Sequence, residues 1–502
     1  MNPNDTYTSP LAARNASPEM LEIWSPRHKF NTWRRIWLAV AEAQHEVTKD
    51  WDQPLVTKAQ VEELRAVVER RITDEEIARA TEIERELRHD VMSHVHCLGE
   101  QCPGAKAIIH LGCTSQDVVC NADLVTLWKA GRLVVAKLNR VISALGTAAT
   151  KSASIPTLGF THYQPAQPTT VGRRAVQWAY ELTLVGYRLH ELLESTPSDP
   201  GLRLRGLRGA TGTQASFLAL FQGDADAVDQ LDQIFHEKVF DLDLDWGDSY
   251  IWTTQTYPRV CDTFVLSDLA SLASVLHKIA TDIRLLSNRK ELDEPFGSKQ
   301  IGSSAMPYKR NPMRCERICG LTRFVMNLVG NAYDTAATQW LERTLDDSSN
   351  RRLSLPEAFL ALDGALDLMH NVASGLIVHE AMVRKNLMAE LPFLATENIM
   401  MEAVKAGGDR QDLHERIRVH AQEAGHKVKH LGEENDLIDR LRSDDAFSAV
   451  HNLLTEDELL DPMKYVGRAV EQTERFVQEV IEPLRERYGD DLADPESSEP
   501  RV

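Results

Sequence analysis

An all-α fold is predicted, with a bundle of long helices at its centre, and three observations predict it. Apolar residues recur at alternating spacings of three and four through four long segments, the repeat of packed helices rather than of strands. Shorter amphipathic runs with capping residues lie on both sides of those segments. At 502 residues of ordinary globular composition, the chain is long enough for two or three cores.

Taken in order, Ser17 to Lys49 and Val56 to Leu98 read as short capped helices and predict an N-terminal helical domain over residues 1–113. Leu124, Leu127, Gly131, Val134, Leu138, Val141 and Leu145 then mark the first long helix. Ser195 to Gly212, with its prolines, glycines and LRLRG alternation, reads as a loop or a short hairpin. After Pro258, a second long helix carries Val265, Leu269, Leu272, Leu276, Ile279, Ile283 and Leu286. Ile318, Leu321, Val325 and Leu328 begin another beyond Pro312, and Phe359, Leu362, Leu366, Met369, Ala373 and Leu376 form the last after Pro356. These segments define a central domain over 114–377. Apolar or small residues off the main seam, such as Phe264, Ala270, Ala273 and Ala280, require further partners. Subunit association through the bundle is therefore expected, although a monomer with more helices round the same core fits the pattern too. Val378 to Tyr488 is again helical, with breaks at Gly407-Gly408 and near Asp445, and gives a C-terminal domain over 378–488. Residues 489–502, rich in Asp, Glu, Ser and Pro, read as a mobile acidic tail.

Lys and Arg number 56 against 75 Asp and Glu, a formal charge of -19 that argues against nucleic-acid or anionic-membrane partners. An anionic substrate must therefore be held by a local basic cluster. The seven cysteines lack zinc-ribbon or CxxC spacing and read as reduced structural thiols. Residues 1–10 do not look like a secretory signal, and no uncharged apolar run is long enough to span a bilayer, so a cytoplasmic protein is expected.

Several polar segments carry residues that a helical core does not need. GSSAMPYKRNP, Gly302 to Pro312, forms the heart of a loop over 298–312 and sets Ser303, Ser304, Lys309 and Arg310 before a helix start, with Asn311 as cap and Pro312 at the first helical position. A serine held beside Lys309 and a positive helix end could have its alkoxide stabilised; alone, the run would pass for a Gly/Ser surface turn. TLGFTHYQPAQ, Thr157 to Gln167, reads as a turn that offers His162 to a cleft, where a carbonyl-bonded loop histidine is the bland alternative. RHDVMSHVH, Arg88 to His96, reads as a third loop. The spacing of His89, His94 and His96 is not that of a metal site, which leaves Arg88, His89 and Asp90 as an orienting or substrate-contact trio. In ERTLDDSSNRR, Arg343, Ser348 and Arg352 could converge as two guanidinium forks and a hydroxyl suited to phosphate, if the run is not simply a solvated face.

Together with LGCTS, TTQTYPR, GATGTQASF and LPFLATENIM, these motifs resemble in order and spacing the fumarase/aspartase superfamily, and within it the eukaryotic type of the adenylosuccinate lyase family. The likeness runs from about Tyr7 to about Tyr488. It implies a three-domain all-α homotetramer whose active sites combine loops from three subunits, working on nucleotide substrates without a cofactor. The implied reactions release fumarate from adenylosuccinate, leaving AMP, and from the purine precursor SAICAR, leaving AICAR. By the same resemblance Ser303 is the general base and His162 the general acid. Lys309 and the amides around Ser304 and Ala305 steady the developing charge, Asn311 orients a carboxylate or caps the helix, and His89 assists or positions. The implied binding set is Arg14, Asn15, Arg88, His89, Asp90, Thr114, Ser115, Gln255, Ser304, Asn311, Arg317, Arg343, Ser348 and Arg352. Asn15 departs from the Tyr usual in the family and removes an aromatic contact to the nucleotide. The alternatives are another fumarate-releasing lyase, of the argininosuccinate lyase type, or a scaffold without turnover.

Overall fold

The computed structural model describes residues 5–194, 201–239, 249–297, 299–455, 457–489 and 492. Its N-terminal helices begin where capping chemistry predicts. Ser17 and Ser25 accept the Met20 and His28 amides at the starts of α1 (Pro18–Ile23) and α2 (Pro26–Thr48), each with proline in first position. Thr57 and Thr73 form capping boxes with Gln60 and Glu76 ahead of α3 (Lys58–Val68) and α4 (Asp74–Leu87). Arg88 ends α4 at φ 53°, and α5 (Asp90–Gln101) starts two residues later. The RHDVMSHVH run is thus helical except for Arg88 and His89, a correction to the expected loop. Val91 and His94 of the run share one face of α5 with Leu98, and all three are buried. His94 stacks on Phe30 at 3.8 Å between ring centres, and burial lowers its pKa to about 4.

From α6 (Ser115–Lys151), about 55 Å long at 1.5 Å per residue, the chain passes into an antiparallel hairpin of β1 (Pro156–Thr161) and β2 (Gln164–Thr170). The sequence reading expected only a turn here. Pro165 and Pro168 donate no amide and so mask the second strand, which a two-stranded ribbon tolerates because both of its strands are edges. Next come α7 (Val171–Leu193), α8 (Ala215–Leu220), α9 (Ala225–Val239) and α10 (Val260–Asn288). The two-residue strand β3 (Leu292–Asp293) follows, then α11 (Met313–Ala337) and α12 (Asp346–Ser374); β4 (Ile377–Val378) pairs back onto β3.

The bundle consists of α6, α7, α10, α11 and α12: α10 packs on α7, α11 and α12, and α6 packs on α7 and α12. Helix α7 keeps the same alternation of four and three in its buried Val171, Ala175, Trp178, Leu182, Val185, Leu189 and Leu192, and joins the four long helices expected from sequence as a fifth. Helix α12 starts ten residues before Pro356, which the sequence reading took as its boundary; the proline sits inside the helix. Asp346 and Asp347 favour the helix start electrostatically, and burial of Phe359, Leu362, Leu366 and Met369 outweighs the proline's cost of about 3 kcal/mol. Among the described helices, α10 alone is long and apolar enough to cross a bilayer, yet its buried side lies in the bundle. There Asp262 and Asp268 pair with Arg351 at 2.6 Å and Arg188 at 3.0 Å.

Residues 201–212 form a loop rather than a hairpin, and it is largely buried; 195–200 lie outside the described residues. Leu202, Leu204 and Leu207 enter the core, while Arg205 and Arg208 pair with Asp117 at 2.5 Å and Asp232 at 2.8 Å. Asp117 also accepts the amides of Thr114, Arg208 and Gly209, so one fully buried carboxylate ties this loop to the start of α6.

Beyond the bundle, α13 (Glu380–Leu394), α14 (Thr396–Lys405), α15 (Arg410–His426), α16 (Leu437–Arg442) and α17 (His451–Thr455) follow, with the expected breaks at Gly407-Gly408 and at Asp445. A second core runs from Ala395 to Leu459. Helices α18 (Ala469–Phe476) and α19 (Glu482–Tyr488) return to the bundle, where Arg485 donates to the Ser143 carbonyl at 2.9 Å. Most of the expected tail lies outside the described residues. Large apolar side chains remain exposed along the bundle: Tyr180, Leu184 and Tyr187 of α7, Val260 and Phe264 of α10, Phe324 and Tyr333 of α11, and Leu353 of α12.

Candidate active site

Three helix starts converge on a cavity of about 530 Å³. His89 and Asp90 come from the start of α5, Thr114, Ser115 and Gln116 from that of α6, and Leu345, Asp347 and Ser348 from that of α12. Helix starts carry the positive end of the helix dipole and favour an anion, although the first amides of α5 are partly taken up by His89 and Asp90. Gln255, Arg343 and Arg352 are the other residues expected from sequence that line it; Ile23, Trp24, Val119, Leu127 and Leu355 supply an apolar wall.

Each polar group has a defined role in the wall. His89 caps α5 by accepting the Met92 amide at Nδ1, which puts the proton of the neutral ring on Nε2, 3.4 Å from Ser115 Oγ. Asp90 is opposed by burial, but the Val91 amide, Lys29 and Arg352 together hold its carboxyl below the ordinary value. Its Oδ2 lies 3.0 Å from Arg352 Nη2. The Arg343 pKa is pushed down by burial; the side chain donates from Nε to the Thr344 carbonyl and from Nη2 to Asp347, and its Nη1 has no hydrogen-bond partner among the described residues. Arg259 shares Asp347 at 2.8 Å, and Arg351 holds Asp123 at 2.9 Å. Gln255 is set from two sides. Its backbone N–H donates to the Glu342 carbonyl, and Gly212, at φ 85°, lies so close to Thr253 that an added Cβ would meet the Thr253 carbonyl oxygen at 2.0 Å.

The GSS loop lies elsewhere. Gly302 is buried where a Cβ would meet the Lys309 carbonyl at 2.2 Å, and Asn311 Nδ2 donates to the Gly302 carbonyl at 2.7 Å, so the ends of the loop are clamped together. Asn311 therefore does not cap α11, and Pro312 is the flanking residue rather than the first helical one. Glu294 takes the cap instead, its two carboxylate oxygens accepting the Arg314 and Cys315 amides at 3.0 Å. The positive helix end expected to support the serine is already neutralised by this buried acid. Ser303 Oγ accepts the Met306 amide at 3.1 Å and is partly exposed; Ser304 and Lys309 are exposed. Arg317, near the start of α11, is lowered by burial and then by repulsion from Arg14 and Arg314, so three cations crowd this end of the helix. Asn15 turns its side-chain amide to the Pro10 carbonyl at 2.9 Å.

His162 stands at the hairpin tip. Both turn residues are left-handed, His162 at φ 53° and Tyr163 at φ 56°, the conformation that a two-residue hairpin turn ordinarily gives to Asn and Gly. Two side chains in such a place cost about 1–3 kcal/mol each, the kind of strain retained where a side chain has work to do. Behind the tip, Arg174 donates to the Leu158 carbonyl at 2.6 Å and the Arg289 guanidinium covers Phe160 at 4.8 Å.

Of the residues expected from sequence, the cavity gathers His89, Asp90, Thr114, Ser115, Gln255, Arg343, Ser348 and Arg352. Arg88 is exposed at the end of α4, and Arg14, Asn15, His162, Ser303, Ser304, Lys309, Asn311 and Arg317 do not line it. Sequence reasoning missed Lys29, Asp123, Arg259 and Arg351, which do. Arg259 is the last residue of the TTQTYPR run and Arg351 lies within ERTLDDSSNRR, so both motifs contained a cation of the cavity that was not singled out. Among the described residues no group of three or more His, Cys, Asp or Glu could hold a metal ion.

A family model described as Lyase matches residues 12–327, and one described as Adenylosuccinate lyase C-terminus matches residues 392–476. The chain is 47% identical over 491 residues to an adenylosuccinate lyase of Saccharomyces cerevisiae, covering 97% of this chain and 98% of that one. With the protein of the same name from Schizosaccharomyces pombe the identity is 48% over 478 residues, 95% of each chain. The solved structure of 3-carboxy-cis,cis-muconate lactonizing enzyme from Pseudomonas putida superposes with a TM-score of 0.77 at 26% identity, covering 95% of this chain and 99% of that one.

Proposed function

The chain belongs to the adenylosuccinate lyase family, and from that premise we propose how its residues divide the work of the family's reaction. The protein is a carbon–nitrogen lyase that eliminates fumarate from adenylosuccinate and leaves AMP. The same elimination on SAICAR, to give AICAR in purine biosynthesis, is part of the proposal. One observation carries the reading of the nucleotide end: three helix starts, Ser348 and the Arg343 and Arg352 guanidinium groups meet at one cavity. That donor set suits a phosphate dianion, and the apolar wall beside it suits a base.

The reaction breaks a C–N bond. Ser303 removes a proton from the carbon beside a succinyl carboxylate, which leaves a dianionic aci-carboxylate steadied by Lys309 and the amides around Ser304 and Ala305. The electron pair then closes the carbon–carbon double bond and the C–N pair leaves with nitrogen, which His162 protonates. On a single chain Ser303 and His162 lie outside the cavity and open to solvent. We therefore propose a homotetramer in which each site takes its cavity, its serine loop and its histidine hairpin from different subunits. The exposed apolar residues of α7, α10, α11 and α12 support association along the bundle. A cytoplasmic location belongs to the same proposal and is supported by seven unpaired thiols, six of them buried.

The experiment is direct: purified protein is mixed with adenylosuccinate and the ultraviolet spectrum is followed. Conversion to AMP and fumarate is expected, with no reaction of argininosuccinate, which carries no phosphate for the cavity. Turnover of argininosuccinate in place of adenylosuccinate, or of neither, would overturn the reading.

A further inference from the structure

We propose that Lys29 is a further substrate-binding residue, placed on α2 to take the nucleotide phosphate together with Ser348 and Arg352. The inference deepens the reading of the cavity as a nucleotide site and rests on it.

Five cationic side chains line the cavity, Lys29, Arg259, Arg343, Arg351 and Arg352, against three carboxylates, Asp90, Asp123 and Asp347. The wall thus carries surplus positive charge in a chain whose net charge is -19. The surplus can be assigned. Arg259 and Arg343 share Asp347, Arg351 holds Asp123 and Asp262, and Arg352 holds Asp90. Lys29 has no carboxylate within ion-pair distance among the described residues. Its ammonium lies over the Trp33 ring at 4.7 Å and the Phe30 ring at 5.5 Å, two aromatic faces that steady a cation without neutralising it.

Burial lowers the Lys29 pKa, and the largest effect from any charge on it is repulsion by Arg352, ahead of the attraction from Asp123 and Asp90. Asp90 lies in the field of both Lys29 and Arg352 but forms its ion pair with Arg352 alone, so one carboxylate serves two cations and the pair keeps a surplus positive charge that favours a further anion. The assignment goes to the phosphate end rather than to the succinyl end because Arg352 and Ser348 line the same wall, whereas Ser303 and His162 do not.

The test compares Lys29→Met and Lys29→Arg with wild type in the full-length protein, using adenylosuccinate turnover and inhibition by AMP and by fumarate. For Lys29→Met, KM and the inhibition constant of AMP should both rise about 10- to 100-fold, the loss of one charge-assisted contact, with kcat within about threefold and fumarate inhibition unchanged. Lys29→Arg should recover most of the loss. In wild type, AMP should protect Lys29 from acetylation by acetic anhydride, read by peptide mass mapping, an arm that needs no variant to fold. Unchanged AMP inhibition in Lys29→Met, equal weakening of AMP and fumarate, or equal labelling with and without AMP would each overturn the assignment of Lys29. Wild type that binds no AMP would instead overturn the nucleotide reading of the cavity, and this inference with it.

Discussion

Replacing Ser303 by Ala is expected to lower kcat about 10²- to 10⁴-fold, the usual contribution of a general base, with KM for adenylosuccinate within a few-fold of wild type. The expectation rests on where the hydroxyl stands. Ser303 Oγ accepts the Met306 amide at 3.1 Å, and an amide pointed at oxygen favours the alkoxide over the alcohol. The helix start behind it offers no such help, because Glu294 has already satisfied its first amides. Charge stabilisation must then come from the loop's own amides, from Lys309 and from the substrate-filled site. The substitution deletes one loop hydrogen bond on a partly exposed turn, so stability should fall by no more than about 1 kcal/mol. Steady-state kinetics beside thermal unfolding separates the two effects. A Ser303→Ala protein with wild-type kcat removes the serine from the chemistry, whatever the family analogy implies.

Replacing His162 by Asn is expected to lower kcat by a similar 10²- to 10⁴-fold while leaving the melting temperature unchanged or higher. The opposite signs follow from the hairpin. A left-handed turn residue favours Asn over His, so the wild-type tip gives up local stability to present an imidazole. Loss of the acid leaves nitrogen to depart without a proton, which raises the barrier of the C–N step. Calorimetry and kinetics on one preparation make the check. Lower stability together with unchanged turnover would mean that the ring holds the hairpin and does not protonate the leaving group.

The long helices were legible because their leucines and valines repeat every three or four residues on sides that are buried in the bundle. Helix α7 was legible by the same rule though not singled out, since Val171, Trp178, Leu182, Val185, Leu189 and Leu192 keep the repeat on its buried face. The hairpin was hidden: Pro165 and Pro168 are turn residues in most contexts and are admissible here only because no third strand asks for their amides. In the cavity, Ser348 was readable as a hydroxyl at a turn entering a helix, His89 as a polar residue of what looked like a loop, and Ser115 only through the family resemblance. Lys29 was not readable, because a lysine in an amphipathic helix ordinarily lays its stem on the surface and its charge in water, and only the fold sets its ammonium over Trp33 beside Arg352. Asp117 and Arg205 were equally silent; a buried ion pair between residues 88 apart leaves no local pattern. The cap of α11 was misread because the true capping acid, Glu294, comes from well before the Asn-Pro pair that mimics a helix start.

The central claim is that a serine loop and a histidine hairpin from different subunits act on one succinyl group, and hybrid assembly tests it most directly. Ser303→Ala and His162→Asn proteins, each almost inactive, are dissociated together and allowed to reassemble. Activity should return to roughly a quarter of wild type, since random mixing gives a shared site each intact residue half of the time. A mixture that stays as inactive as its components, with mixed assemblies demonstrated by mass, would contradict it.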